Sequence, residues 1–210
     1  MGVLRNVKLP APPLLVISDR SQARRPLTEI AAAAFSGGCR WFSLREKDLP
    51  PTERRALLAE LVTLGQRYAA TVTVHDDLDA AIATGAGGVH LPSGGDPRAA
   101  RERLPNGLIG VSAHSATEAA LLLAGCADYA TISPIFLTDS KPDYGPALGL
   151  TGLAATVAAA NGPVVALAGI NPGNARACLD TGASGIAVMG DVMRAANPEA
   201  TVRSLVQAIS

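Results

Sequence analysis

Thr71–Leu91, TVTVHDDLDAAIATGAGGVHL, holds a complete strand–helix–strand unit in one short stretch. The β-branched run Thr71–His75 reads as a strand, and an Ala-rich helical segment starts near Leu78, with Asp77 or Asp79 available to cap it. Gly85-Ala86-Gly87-Gly88 then lets the chain leave the helix in a left-handed turn and enter a second strand, Gly88–Leu91. Similar glycine exits occur at Gly38-Cys39-Arg40-Trp41, Gly125-Cys126-Ala127-Asp128 and Gly182-Ala183-Ser184-Gly185. They follow the first, third, fifth and seventh helical segments, which makes a weak internal repeat.

Working outward, apolar runs bounded by polar turns recur at Leu14–Asp19, Trp41–Arg45, Leu108–Ala113, Tyr129–Ile135, Val164–Gly169 and Gly185–Met189. Stretches of helical period separate them, such as Thr52–Tyr68 with Leu57, Leu58, Leu61 and Leu64 on one side, and Thr117–Ala124. The strands are nearly continuous apolar runs, the pattern of a parallel sheet covered on both faces. Eight right-handed strand–helix units in 210 residues predict a single-domain α/β fold, a (β/α)8 TIM barrel, and not an open doubly wound sheet. Helix starts are expected at Pro50-Pro51-Thr52-Glu53, Asn171-Pro172 and Asn197-Pro198-Glu199, where caps and prolines suit the orphan amides.

Residues 1–13 read as an N-terminal extension and residues 14–210 as the barrel. The extension lacks the apolar core of a signal peptide and no segment approaches a membrane span, so a cytoplasmic protein is expected. Formal net charge is zero and the charges are mixed, which removes the broad positive field used to bind nucleic acid or an anionic membrane. Three Phe, three Tyr and one Trp are also too few for a base-stacking platform, and Phe35, Trp41 and Phe42 are core candidates. Cys39, Cys126 and Cys178 are odd in number and widely spaced, and read as small core residues of a reducing compartment. The expected partner is a small neutral or locally anionic molecule.

In a barrel of this kind, chemistry sits where the strands end. Arg45 and Lys47 lie two apart at the end of the second strand, so they share one side while Glu46 takes the other. Two cations at a pocket rim want an anion such as diphosphate, although a solvated edge paired with Asp48 explains them equally well. Thr138-Asp139-Ser140-Lys141 adds hydroxyls and an ammonium, a second jaw for the same anion or a plain surface turn. Asp76 closes the third strand, where a carboxylate beside a diphosphate suits Mg2+. Gly169 and Gly190 end the seventh and eighth strands, where backbone amides commonly seat a phosphate. His114 shares a side with Ser112 after the fifth strand and is placed to move a proton or to make a structural hydrogen bond. His90, inside the fourth strand, reads as mainly structural.

These residues, in this order, resemble the thiamine-phosphate synthase and TenI superfamily over nearly the whole chain. Leu44-Arg45-Glu46-Lys47, Val74-His75-Asp76-Asp77, Gly88-Val89-His90-Leu91, Gly110-Val111-Ser112-Ala113-His114, Pro134-Ile135-Phe136-Leu137-Thr138-Asp139-Ser140-Lys141 and Ala168-Gly169-Ile170 carry the resemblance. It implies a synthase that joins hydroxymethylpyrimidine diphosphate to hydroxyethylthiazole phosphate and releases diphosphate. It further implies that Arg45, Lys47, Thr138, Ser140 and Lys141 hold the diphosphate and that Asp76 binds Mg2+. Ser112 would stand at the reacting centre, and Gly169, with Met189 and Gly190, would seat the thiazole phosphate. Members commonly form homo-oligomers.

The chain departs from the synthase pattern at five places. Ser43 stands where glutamine is usual and His75 where asparagine is usual, both on the pyrimidine or diphosphate side. The second metal aspartate aligns with Gly95, and Asp96 follows one residue later as the alternative ligand. Leu91-Pro92-Ser93-Gly94 and Ala187-Val188-Met189 lean towards TenI-type proteins, which aromatise a thiazole carboxylate phosphate with a histidine matching His114. The sequence therefore leaves a thiazole tautomerase and a non-catalytic thiazole-phosphate binder beside the synthase, with another sugar-phosphate barrel as a weaker fit. Lys47 and Asp76 favour the synthase.

Overall fold

The structure is a computed structural model and describes residues 8–138 and 146–210. Its strands are β1 (Leu14–Ile17), β2 (Trp41–Leu44), β3 (Thr71–His75), β4 (Gly88–Leu91), β5 (Leu108–Ala113), β6 (Tyr129–Ile132), β7 (Val164–Leu167) and β8 (Gly185–Val188). They pair in parallel, each with its neighbour in sequence, and β8 closes on β1. The helices between them are α1 (Leu27–Ser36), α2 (Pro51–Gln66), α3 (Leu78–Thr84), α4 (Pro97–Arg103), α5 (Ala116–Ala124), α6 (Gly149–Ala159) and α7 (Ala175–Asp180). After β8 come the short α8 (Gly190–Met193) and then α9 (Pro198–Ala208). This is the expected (β/α)8 barrel. No helix among the described residues is long and apolar enough to cross a membrane.

Strand alternation divides the core in two. Leu15, Ile17, Trp41, Leu108, Tyr129, Val165 and Ala187 form a cluster inside the barrel, whereas Leu14, Val16, Phe42, Leu44 and Val89 join the larger cluster that includes the helices. Trp41 and Tyr129 plug the interior edge to face, with ring centroids 4.7 Å apart. Gly110 faces the Tyr129 ring, where any Cβ would collide, so a missing side chain on β5 makes room for a large one on β6. One pleat further on, the inward positions become polar: Ser43, His75, His90, Ser112 and Thr131. That change of layer is where packed core gives way to cavity.

Several local expectations shift. Three of the four glycine exits contain a left-handed glycine, Gly38, Gly85 or Gly182, but in the fourth the positive φ falls on Cys126 and not on Gly125. Cys126 is exposed, unlike Cys39 and Cys178, because it sits on that turn and not in the core. β6 stops at Ile132, short of Ile135, because Pro134 has no N–H for a ladder bond. The Asn171-Pro172 start is also displaced. Asn171 Oδ1 accepts from Gly173 N at 2.9 Å to make a turn, and α7 begins only at Ala175. Part of the N-terminal extension belongs to the barrel floor: Leu9 packs on the inner cluster, and Ile186 N donates to Pro13 O at 2.9 Å.

Asp77 is the N-cap of α3, accepting from Ala80 N at 2.9 Å, while its other oxygen takes the Arg54 guanidinium at 2.6 Å. Asp77→Ala removes the cap and the partly buried pair together. It is expected to cost about 2 kcal/mol, read as a lower urea midpoint at unchanged slope; an unchanged midpoint would show that the helix does not depend on this carboxylate.

Candidate active site

A cavity of about 380 Å³ opens at the C-terminal ends of the strands. Ser43, Arg45, Lys47, His75, Ser112, His114, Thr138, Gly169, Met189 and Gly190 all line it, so residues from six strand ends meet in one place. Asp139, Ser140 and Lys141 lie outside the described residues. Asp76 and Asp96 are not among the residues lining the cavity.

The cationic rim is set by a buried carboxylate. Glu46 is 3% exposed and accepts from Ser18 Oγ at 2.6 Å and from Arg20 N at 3.1 Å. Ser18 Oγ accepts in turn from Arg45 N at 2.8 Å. This knot ties the β1 and β2 ends together with Glu46 turned inward, so Arg45 and Lys47 face the cavity as alternation predicts. Burial pushes the Glu46 carboxyl above its ordinary value, against the Ser18 and Arg20 hydrogen bonds, with Asp19 and Asp48 adding to the rise. Asp48 pairs with Arg20 at 2.5 Å, a guanidinium that sequence reading did not assign to it.

The polar floor is His75, His90 and Ser112. The two imidazoles stack with centroids 5.7 Å apart, and His90 Nε2 lies 3.0 Å from Ser112 Oγ. Burial, with the neighbouring His75 and Arg45 charges, holds His90 down to about 3, so its ring is neutral. The structural reading of His90 thus omits a feature: its ring lines the cavity and touches Ser112. His114 Nδ1 donates to Ser133 O at 3.1 Å, which places the basic lone pair of the neutral ring on Nε2. Glu118 holds this corner, accepting from His114 N at 2.8 Å and from Ser93 Oγ at 2.5 Å. Ser115, three residues before it, caps α5 by accepting from Glu118 N at 3.2 Å.

Gly169 and Gly190 have local reasons of their own. Gly169 has φ +65°, and a Cβ there would stand 2.6 Å from Leu137 O. At Gly190 a Cβ would stand 2.7 Å from Cζ of Arg194, so the guanidinium occupies the space the missing side chain leaves. Sequence reading missed Arg194, Gln22, Asp19 and Asp191, all of which line the cavity. Gln22 Nε2 donates to Asp19 Oδ2 at 2.5 Å, and Arg194 Nη1 donates to Gln22 Oε1, so one amide bridges the β1 loop to α8. Partial burial pushes Asp19 up, but hydrogen bonds from Ser21 and Gln22 and the Arg45 charge hold it below the ordinary carboxylate value. No local motif marks this trio, because Gln22 and Arg194 meet only when β8 closes against β1.

Among the described residues no three His, Cys, Asp or Glu side chains gather as a metal cage. Asp76 is exposed at the end of β3 with φ +51°. Asp96, the alternative second metal ligand, is the N-cap of α4, where its Oδ1 accepts from the amides of Arg98 and Ala99. Mg2+ needs only one or two protein carboxylates when phosphates and waters complete its shell. Asp76 is a carboxylate that could hold such an ion beside a diphosphate.

Comparison with known proteins agrees with this geometry. The family model described as thiamine monophosphate synthase matches residues 14–192. A thiamine-phosphate synthase of Roseiflexus sp. (strain RS-1) is 37% identical over 193 residues, covering 90% of this chain and 82% of that protein. The thiamine-phosphate synthase of Moorella thermoacetica is 36% identical over 198 residues, covering 93% and 94%. The solved structure of a thiamine phosphate pyrophosphorylase from Pyrococcus furiosus matches with TM-score 0.85 at 35% identity, over 93% of this chain and 94% of that one. With one family spanning the barrel from its first strand into the short helix after its last, the chain belongs to the thiamine monophosphate synthase family.

Proposed function

We propose that this chain is a transferase that condenses hydroxymethylpyrimidine diphosphate with hydroxyethylthiazole phosphate to give thiamine phosphate and diphosphate. The observation that carries the reading is the meeting of Arg45, Lys47, Ser112, Thr138, Gly169, Gly190 and Arg194 on one cavity. Arg45 and Lys47 with the Ser112 and Thr138 hydroxyls suit a diphosphate, and Gly169 and Gly190 with Arg194 suit a phosphate monoester. The bond from the pyrimidine methylene to the diphosphate oxygen breaks with its electron pair on oxygen, and the thiazole nitrogen lone pair forms the new C–N bond. Arg45 and Lys47 stabilise the departing charge, with Ser140 and Lys141 assigned to the same jaw. Asp76 would hold Mg2+, which when bound neutralises the diphosphate. His75 and Ser43 border the pyrimidine side, and Met189 the thiazole side. No protein nucleophile is needed.

The test is to supply purified protein with both substrates and Mg2+ and to look for thiamine phosphate by mass spectrometry. Turnover supports the reading, and none at saturating substrates overturns it. A proton-shift isomerisation is the second reading, favoured by the placement of His114 at the cavity with Nε2 as its basic nitrogen. Incubation with the thiazole carboxylate phosphate tautomer separates the two, since only an isomerase aromatises it.

Arg194 sharpens the phosphate end. Arg194→Gln is expected to raise KM for hydroxyethylthiazole phosphate about 10-fold, the size of one charge-assisted hydrogen bond. KM for the pyrimidine diphosphate should stay put. An equal rise for both substrates would remove Arg194 from the monoester pocket.

A further inference from the structure

His90 stands inside the barrel with both ring nitrogens in hydrogen-bond contact. Nδ1 lies 3.0 Å from Tyr129 Oη, and Nε2 lies 3.0 Å from Ser112 Oγ and 3.4 Å from Thr131 Oγ1. A neutral imidazole carries one N–H, so one nitrogen donates and the other accepts. Its neighbours decide which. Tyr129 is fully buried, and among the described residues the one hydrogen-bond partner of its hydroxyl is His90 Nδ1. A buried hydroxyl hydrogen with no acceptor is costly, so the phenol donates to Nδ1. Thr131 supplies an independent second sign. Its hydroxyl donates to Val111 O at 3.4 Å and so turns a lone pair, not a hydrogen, towards Nε2. Both contacts put the imidazole proton on Nε2.

The consequence falls on Ser112. Its oxygen accepts from His90 Nε2–H, and that is its one hydrogen bond among the described residues. Its own hydrogen is therefore left to point at whatever occupies the cavity. We propose that Tyr129 and His90 are positioning residues that lock Ser112 as a hydrogen-bond donor to an oxygen of the departing diphosphate. The proposal rests on the synthase reading of the cavity. The opposite tautomer would draw the serine hydrogen back onto the imidazole and offer the anion a lone pair. No proton is transferred: as the C–O bond breaks and its electron pair collects on the leaving oxygen, the Ser112 hydrogen bond strengthens. The relay also explains why the ring deep in the barrel is a tyrosine. A phenylalanine would fill the space against Trp41 and Gly110 equally well, but would remove the donor that holds His90 Nδ1 as an acceptor and leave only the longer Thr131 contact to set the tautomer.

The experiment labels the three histidines with 15N and reads the His90 tautomer by long-range proton–nitrogen correlation, with assignment through the His75→Gln and His114→Gln variants. The expected result is an Nε2–H signal in the wild-type protein and a mixture of tautomers in Tyr129→Phe. Steady-state kinetics complete it. Tyr129→Phe should lower kcat about 10-fold at unchanged KM, whereas in a Ser112→Ala background the same change should do nothing further. An Nδ1–H signal, or an equal Tyr129→Phe effect with and without the Ser112 hydroxyl, overturns the relay. Full activity of Ser112→Ala overturns the site reading beneath it, so the two failures are told apart. The wild-type spectrum alone tests the tautomer if Tyr129→Phe does not fold.

Discussion

Asp76→Asn is expected to lower the rate of thiamine phosphate formation about 100-fold, with the loss partly recovered at high Mg2+. The change removes one charge and almost no volume. Asp76 is exposed and has φ +51°, a backbone conformation that asparagine adopts as readily as aspartate. Its backbone N–H, which donates to His90 O at 2.9 Å, is untouched by the substitution. Melting temperature should therefore stay where it is while turnover collapses, and that separation identifies a charge effect. The measurement is kcat across a Mg2+ titration beside a thermal melt. Undiminished turnover at every Mg2+ concentration would take Asp76 out of the mechanism, a clear outcome for a residue that does not line the cavity itself.

The second large effect is on the fold. Gly110→Ala places a methyl group inside the Tyr129 ring, and neither partner has room to yield, since Tyr129 is wholly buried and packed against Trp41. Overpacking of this kind costs about 3 kcal/mol. At roughly 2–4 °C per kcal/mol for a chain of this size, the melting temperature should fall by about 10 °C. Gly94→Ala is the control. Gly94 has φ +82° but nothing within 4 Å of the added methyl, so it pays only for backbone strain, about 1 kcal/mol. If the two variants melt together, steric exclusion by Tyr129 is not what requires glycine at position 110. Because Tyr129 also holds His90, any Gly110→Ala protein that does fold should lose activity beyond its loss of stability.

The site was legible in the sequence where local geometry sufficed. Arg45 and Lys47 share a side because strand period is two, and Glu46 turns the other way for the same reason. Asp77 caps α3 because a carboxylate just before a helix finds unpaired amides there. Asp96 obeys the same rule one unit later. Arg194 and Gln22 could not be found this way, since no pattern along the chain joins two residues that meet across the closure of the barrel. His90 and Tyr129 each look like core residues when read singly, and their common role is visible only as distances between three strands.

What the chain determines unaided is its periodicity: eight apolar runs, helices between them, glycines at the exits, and charged residues at the strand ends. Those follow from backbone sterics and from side-chain direction, which act over a few residues. What only the closed barrel decides is which strand ends become neighbours, and therefore which hydroxyl donates, which imidazole nitrogen carries the proton and which guanidinium overlies Gly190. Hydrogen-bond polarity and desolvation depend on partners distant in sequence, and closure of β8 on β1 is the event that brings them within reach.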